Sequence, residues 1–308
     1  MKMRFEEFIQ EVVNKIREFL PESFANASVE LQTVTKNNDL KLTGLTIRSG
    51  DSNIYPTIYL EQYYVKYRDG EAMESILSDI ADVRIRHEVV DSFDTEMVMS
   101  FEKAKDMIFP RLIGANWNES LLKDRPHKVI ADLAVTYHIM LNQAVGGFAS
   151  VPITYDLMKN WGADVDALHD LAIHNMPILL PTKFEPMSKV LKEMMYSDLD
   201  EGEVDNLLFD ITPQDDYMYV LSNAQRINGA AALLDERVMN AIVEKLGGDF
   251  YILPSSIHEC IIVPAALCDD IEFLTNMIQE VNYAQVSPDD RLSDHPYRYS
   301  MLEGIVSV

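Results

Sequence analysis

The sequence predicts an α+β fold, mostly antiparallel sheets with helices packed on one side. Three observations carry this. The opening stretch repeats apolar residues at helical steps, a pair of alternating segments flanks a polar turn, and the C-terminal third alternates short apolar strands with tight turns and two well-marked helices. Short strands joined by tight turns pair antiparallel, with the helices laid against them.

Phe5, Phe8, Ile9, Val12, Val13, Ile16, Phe19 and Leu20 recur every three or four residues, so they share one face of an amphipathic helix whose other face is charged. Val29, Leu31 and Val34 then alternate with polar residues, Lys36-Asn37-Asn38-Asp39 turns the chain, and Leu40, Leu42, Leu45 and Ile47 follow. This predicts a β-hairpin. Residues 60–87 read as helical, with Met73, Ile76, Ile80 and Val83 at helical spacing. MIFPRLIGA and HKVIADLAVTYHIML predict strands on either side of a short helix around NWNESLLKD. TYDLMKNWGADVDALHDLAIHNM turns helical, with Asp164 placed to cap a helix that Pro177 ends.

Residues 197–216 hold eight acidic residues, no basic ones and a proline. Such a stretch stays solvated. It divides the expected organisation into an N-terminal α+β domain (1–196), an acidic connection (197–216) and a C-terminal α+β domain (217–308). In the last part, YMYVL and the segment near AAALL predict strands, followed by the helix DERVMNAIVEKL, capped by Asp235 and stopped at Gly247-Gly248. FYILP and HECIIV predict two more strands, and DIEFLTNMIQEVNYAQV a helix with Ile271, Leu274, Ile278 and Val281 on one face. There is no internal repeat and no low-complexity tract.

With 26 basic and 50 acidic residues the formal net charge is -24, which disfavours direct binding along a phosphate backbone and favours a basic partner. Among 308 residues there is no apolar run as long as the roughly 18 residues of a membrane span. The N-terminal segment lacks the unbroken apolar core and small-residue cleavage site of a secretory signal. Cys260 and Cys268 are too few for a disulfide framework or a zinc site, so a reducing cytoplasm is expected. Neither a phosphate-binding Gly-rich loop nor a dinucleotide fingerprint is present. No cofactor and no metal are therefore expected.

The chemistry-bearing residues gather in FYILPSSIHECIIVP. If SIHECIIV is extended, Ser256, His258 and Cys260 point one way while Ile257, Glu259, Ile261 and Val263 point the other. That separation prevents His258 and Glu259 from gripping one metal ion, and the zinc-protease motif also needs a histidine where Ile262 stands. A hydrolase would use Ser256 or Cys260 as nucleophile and His258 as base, yet no nucleophile elbow surrounds either residue. Glu259, aligned with aliphatic residues on the expected inner face, needs a partner such as Arg226, Arg237 or Arg298, or stands at the base of a pocket. Ser255, Ser256, His258, Glu259 and His295 are the expected binding residues. His169 and His174 lie about 140° apart around a helix and share no face, and His138 reads as a structural histidine.

YVLSNAQRINGAAALLDERVMNAIVEKLGGDFYILPSSIHECIIVPA, together with SDHPYRY, PTIYLEQYYVKYRDG, NWNESLLKDRPHKVIADLAVTYHI and NWGADVDALHDLAIHNMP, resembles an uncharacterised bacterial family, the domain of unknown function fifty-six eighty-eight. The likeness spans nearly the whole chain. It implies a setting in anaerobic gut bacteria, often near mobile genetic elements, and it carries no known catalytic residue. The family pattern has a valine-like residue where Cys260 stands, which implies that Cys260 is no nucleophile.

The expected function is that of a non-enzymatic, cytoplasmic interaction or regulatory protein whose partner is a protein, a basic one being favoured by charge. The alternative is a hydrolase or small-molecule-binding enzyme using Ser256, His258 and Glu259. A contiguous negative surface favours the first, and a concave pocket in which those side chains converge favours the second.

Overall fold

The computed structural model describes residues 2–50, 55–87, 95–141, 149–198, 217–254, 256–268 and 270–308. Contacts group them into two compact units, residues 1–36 with 40–95, and residues 37–39 with 96–308. The fold is α+β, and every strand pairing among the described residues is antiparallel.

In the first unit, α1 (Phe5–Lys15) precedes the hairpin β1 (Ser28–Thr35) and β2 (Lys41–Arg48), extended by β3 (Thr57–Tyr59). The expected helical run is two helices, α2 (Glu61–Asp69) and α3 (Met73–Arg86), because Gly70 takes a left-handed φ of 112° that closes the first. Phe8, Val12 and Ile16 of the α1 face and its following turn pack with Leu45 and Ile47 of β2 and Ile76, Leu77 and Ile80 of α3.

The second unit holds two sheets. Helical turns α4 (Glu96–Met99) and α5 (Phe101–Ala104) lead to β4 (Ile108–Gly114), then α6 (Glu119–Leu122), β5 (His127–Ile130), β6 (Leu133–Leu141) and β7 (Ala149–Pro152). In this sheet β6 pairs with β4, β5 and β7. HKVIADLAVTYHIML is thus two strands, folded back at Ala131, whose φ is 53°. α7 (Tyr155–Trp161) is capped by Thr154 and α8 (Val165–Leu179) by Asp164. Pro177 lies inside α8 and does not end it. A proline this close to the C-terminus forfeits a single backbone bond, so the last turn survives it.

β8 (Thr182–Pro186) and α9 (Met187–Asp198) come next, and the rest of the acidic segment, 199–216, lies outside the described residues. β9 (Tyr219–Asn223) is followed at Gly229–Leu234 by a 3₁₀ helix, where the sequence pattern predicted a strand. Gly229 explains the difference. A Cβ there would collide with Ser222 Oγ and the His258 carbonyl oxygen and come within 2.9 Å of the Asn223 nitrogen, so the chain presses flat on its neighbours and coils. Then follow α10 (Glu236–Leu246), β10 (Phe250–Leu253), β11 (Cys260–Pro264), α11 (Ile271–Ala284), β12 (Tyr297–Ser300) and β13 (Gly304–Ser307). The six-stranded sheet runs β13-β12-β10-β11-β9-β8.

Both faces of its central strands are covered. Phe250, Ile252, Cys260 and Ile262 face the main core with Met239 and Ile242 of α10, while Leu253 and Val263 meet Leu274 and Ile278 of α11. The extended reading of SIHECIIV is corrected at its front half, since β11 starts only at Cys260. The Ser256 amide donates to the Glu259 carbonyl (3.3 Å) and the His258 amide to Ser256 Oγ (3.0 Å), which bends residues 256–259 into a turn.

Candidate functional site

That bend decides where the polar side chains go. Ile257 is 1% exposed and plugs the core, its amide donating to the Asp290 carbonyl (2.8 Å) and its carbonyl accepting from the Ala230 amide (3.2 Å). With Ile257 anchored, Ser256, His258 and Glu259 all line one cavity of about 650 Å³ together with Arg226, Asp290 and the apolar side chains of Met187, Met218, Ile261, Met277 and Ile278. Strict alternation would have put Glu259 on the other face from Ser256 and His258. Ser255 lies outside the described residues.

The His258 ring is held at both nitrogens. Nδ1 is 3.2 Å from the Asn228 amide, and Nε2 is 3.2 Å from Asp290 Oδ1. A backbone amide only donates, so Nδ1 accepts and the neutral ring carries its proton on Nε2, directed at Asp290. The His258 carbonyl accepts from Ser222 Oγ (2.7 Å). Asn228 reaches the ring because the preceding loop is tightly wound. Asn223 donates from Nδ2 to the Ile227 carbonyl (2.7 Å) and accepts at Oδ1 from the Gln225 amide (3.0 Å), while Arg226 and Asn228 both adopt left-handed backbone, φ 53° and 54°. Left-handed conformations away from glycine are costly and concentrate at binding sites.

Asp290 is fixed in turn. Its amide donates to the Ser287 carbonyl (2.9 Å), and Asn37 and Asn38, which group with this unit, donate to carbonyls of Pro288, Asp289 and Arg291 at 2.7–3.3 Å. Half-buried Arg111 senses this loop: desolvation lowers its guanidinium from its ordinary value, and the charges of Asp290 and Asp289 oppose that. Of the arginines expected near Glu259, Arg237 pairs with Asp235 (2.9 Å), Arg298 with Asp249 (2.5 Å) and Arg226, which lines the same cavity, with Glu193 (3.3 Å). Glu259 is half-buried on the cavity wall.

The arrangement suits recognition better than nucleophilic attack at this place. Ser256 Oγ accepts a backbone amide and makes no bond to the His258 ring, whose two nitrogens are both in use. Cys260 is fully buried, and burial, then the Glu259 charge, push its thiol far above its ordinary value. A thiol held protonated attacks nothing.

His295 lies elsewhere, at a second cavity of about 190 Å³. Its Nδ1 is 3.1 Å from Ser293 Oγ and 3.3 Å from Asp294 Oδ1, and its Nε2 is 3.5 Å from Asp132 Oδ2. Tyr297 donates to Asp132 Oδ1 at 2.6 Å. Burial and then the Asp132 carboxylate push that phenol far above its ordinary value, so it stays a donor. Of the other histidines, His169 Nδ1 is 3.1 Å from the Tyr137 hydroxyl, and His138 packs its ring 5.7 Å from Phe109. Asn118, which heads an Asn-x-Ser triplet, is fully buried and bonded to Gly114 and Asn38. Among the described residues no group of three or more His, Cys, Asp or Glu is placed to hold a metal ion, and no helix is long and apolar enough to cross a membrane.

The sequence pattern singled out Ser256, His258, Glu259 and His295 but not Asn228, Asp290, Ser293 and Asp132, which the fold brings beside them. Asn228-Gly229 carried a signal, since Asn before Gly marks left-handed backbone. Asp290 carried none, because only the fold brings it across 32 positions to His258. A family model described as a family of unknown function, DUF5688, matches residues 5–301. No curated protein and no solved structure matches the chain.

Proposed function

The chain belongs to this family of unknown function, and we propose that its work is done by the cavity around His258, which binds a small amphipathic molecule. The observation that carries this reading is that Ser256, His258, Glu259, Asp290 and Arg226 line one cavity together with methionine and aliphatic side chains. Cavities of roughly 300–1,000 Å³ with an apolar wall and a few convergent polar groups are the usual form of small-molecule sites. Methionines adapt their shape to an apolar guest. Glu259, Asp290 and Arg226 bring both signs of charge to the lining, and Arg226 is paired with Glu193. The net charge of -24 favours a cationic head group, such as an amine.

The charge of -24 supports a second element of the reading, in which the protein docks on a basic protein partner and not on nucleic acid. Both cysteines are free thiols, which supports a reducing, cytoplasmic setting. A ligand that fills the cavity would then make the protein a regulatory one.

The test is thermal unfolding with a matched pair of probes, phenethylamine and phenylacetate, on the wild type and on Met277→Trp, which puts a larger side chain into the cavity. At a hundred times its dissociation constant a ligand adds about 2.7 kcal/mol to the folded state. Phenethylamine is expected to raise the Tm of the wild type by several degrees, phenylacetate to do less, and neither to shift the variant. Equal shifts in the variant would refute the cavity as the site.

A further inference from the structure

A serine and a histidine are hydrogen-bonded beside a carboxylate in this protein, at the smaller cavity. Ser293 Oγ lies 3.1 Å from His295 Nδ1 and accepts from the His295 amide at 3.4 Å, and the opposite ring nitrogen, buried and without a hydrogen bond among the described residues, lies 3.5 Å from Asp132 Oδ2. The carboxylate is oriented by the Tyr297 hydroxyl, and the Ser293 backbone is fixed by Asn282 Nδ2, which donates to its carbonyl at 2.7 Å. These parts come from the β5–β6 turn, the segment before β12, and α11. The same cavity is lined by Asn116 and Trp117, both of which carry N–H donors. From this geometry we infer that Ser293 is the nucleophile of a short-chain ester hydrolase site, with His295 as its base and Asp132 as the group that orients the base.

The serine–histidine contact is the one acyl transfer starts from, with Asp132 close enough to hold the ring once it is charged. A serine hydroxyl is a weak nucleophile until a neighbouring base takes its proton, and the base works best when a third group fixes its ring. Ser293 Oγ bonds to the ester carbonyl carbon as its proton passes to His295 Nδ1. The carbonyl becomes an oxyanion, and Asn116 and Trp117, which line the same cavity, are the donors available to it. The imidazolium then carries one N–H at Nδ1, 3.3 Å from Asp294 Oδ1, and one at Nε2, 3.5 Å from Asp132 Oδ2. When the carbon–oxygen bond of the ester breaks, His295 returns that proton to the departing alcohol. Water next attacks the acylated serine, giving its proton to His295, and the released acid and the free Ser293 hydroxyl complete the cycle. No group beyond water is consumed.

The size of the cavity sets the substrate class. About 190 Å³ is roughly six water volumes at about 30 Å³ each, enough for an acetyl or propionyl group and part of the leaving alcohol. Gly114 closes one wall against Leu292, where a Cβ would come within 2.8 Å of the Leu292 carbonyl oxygen, so long acyl chains have no room on that side.

Treating the full-length protein with a fluorophosphonate probe and mapping the adduct by peptide mass spectrometry tests the assignment without altering the fold. The adduct is expected on Ser293, and p-nitrophenyl acetate turnover is expected to fall by about a hundredfold or more in His295→Gln. In folded Ser293→Ala, confirmed by circular dichroism, both the adduct and the turnover are expected to vanish. An unlabelled Ser293 in the folded wild type, or labelling as fast in His295→Gln as in the wild type, would overturn it and leave the cluster a structural turn.

Discussion

At the scale of single residues the candidate site rests on Gly229 and on Ile257. Gly229 lies where any side chain would strike Ser222 Oγ and the His258 carbonyl, so Gly229→Ala forces apart the strand and the turn that present His258. Overpacking of this kind costs about 1–3 kcal/mol. Chemical denaturation of Gly229→Ala should show that loss, together with weaker binding of a cavity ligand. A variant as stable as the wild type would mean that the turn has slack the packing does not suggest. The same residues explain what the sequence did and did not reveal about the site. SSIHE stood out because polar groups interrupted an apolar run. Its geometry was hidden, because a hydroxyl bonding a backbone amide two residues on, as Ser256 does, replaces the strand alternation by a turn.

At the scale of elements, the long periodic helices and the hairpin were legible, and the short connections were not. α10 shows why the first class reads well. Its N-cap Asp235 accepts from the Arg237 amide at 3.0 Å and is clasped by the Arg237 guanidinium at 3.0 and 2.9 Å, and its end is closed by left-handed Gly247. Both signals are local. Asp235→Ala should therefore cost about 1 kcal/mol, within roughly 0.5–2, as a lowered midpoint of urea unfolding, and Asp235→Ser should recover most of it. The Gly229–Leu234 segment reads badly for the opposite reason. Three alanines in a row fit a buried strand or a buried helix equally, and contacts with Ser222, Asn223 and His258 decide between them. The strands β3, β7, β8, β12 and β13 span three to five residues each, too short for periodicity to mark them.

At the scale of the whole molecule, pH dependence follows from a buried histidine. His138 is pushed well below its ordinary value of 6.5 by burial, and then by the Arg111 and Arg125 charges. The folded ring stays neutral, while the unfolded ring takes up a proton as pH falls through 6.5. The unfolded state then binds more protons, so stability is full above that pH and declines below it by up to about 1.4 kcal/mol per pH unit. His138→Gln should flatten the slope of unfolding free energy between pH 6.5 and 5, and an unchanged slope would show that other groups set it. The net charge of -24 was legible from composition; the folding of distant residues around one cavity was not. The account stands on that cavity, and the most direct measurement is imidazole NMR of nitrogen-15 histidine-labelled protein titrated with phenethylamine. The account predicts an unprotonated Nδ1 for His258 and a saturable shift of its ring signals, with those of His295 unmoved. Ring signals of His258 that do not respond, or that move only together with His295, would contradict it.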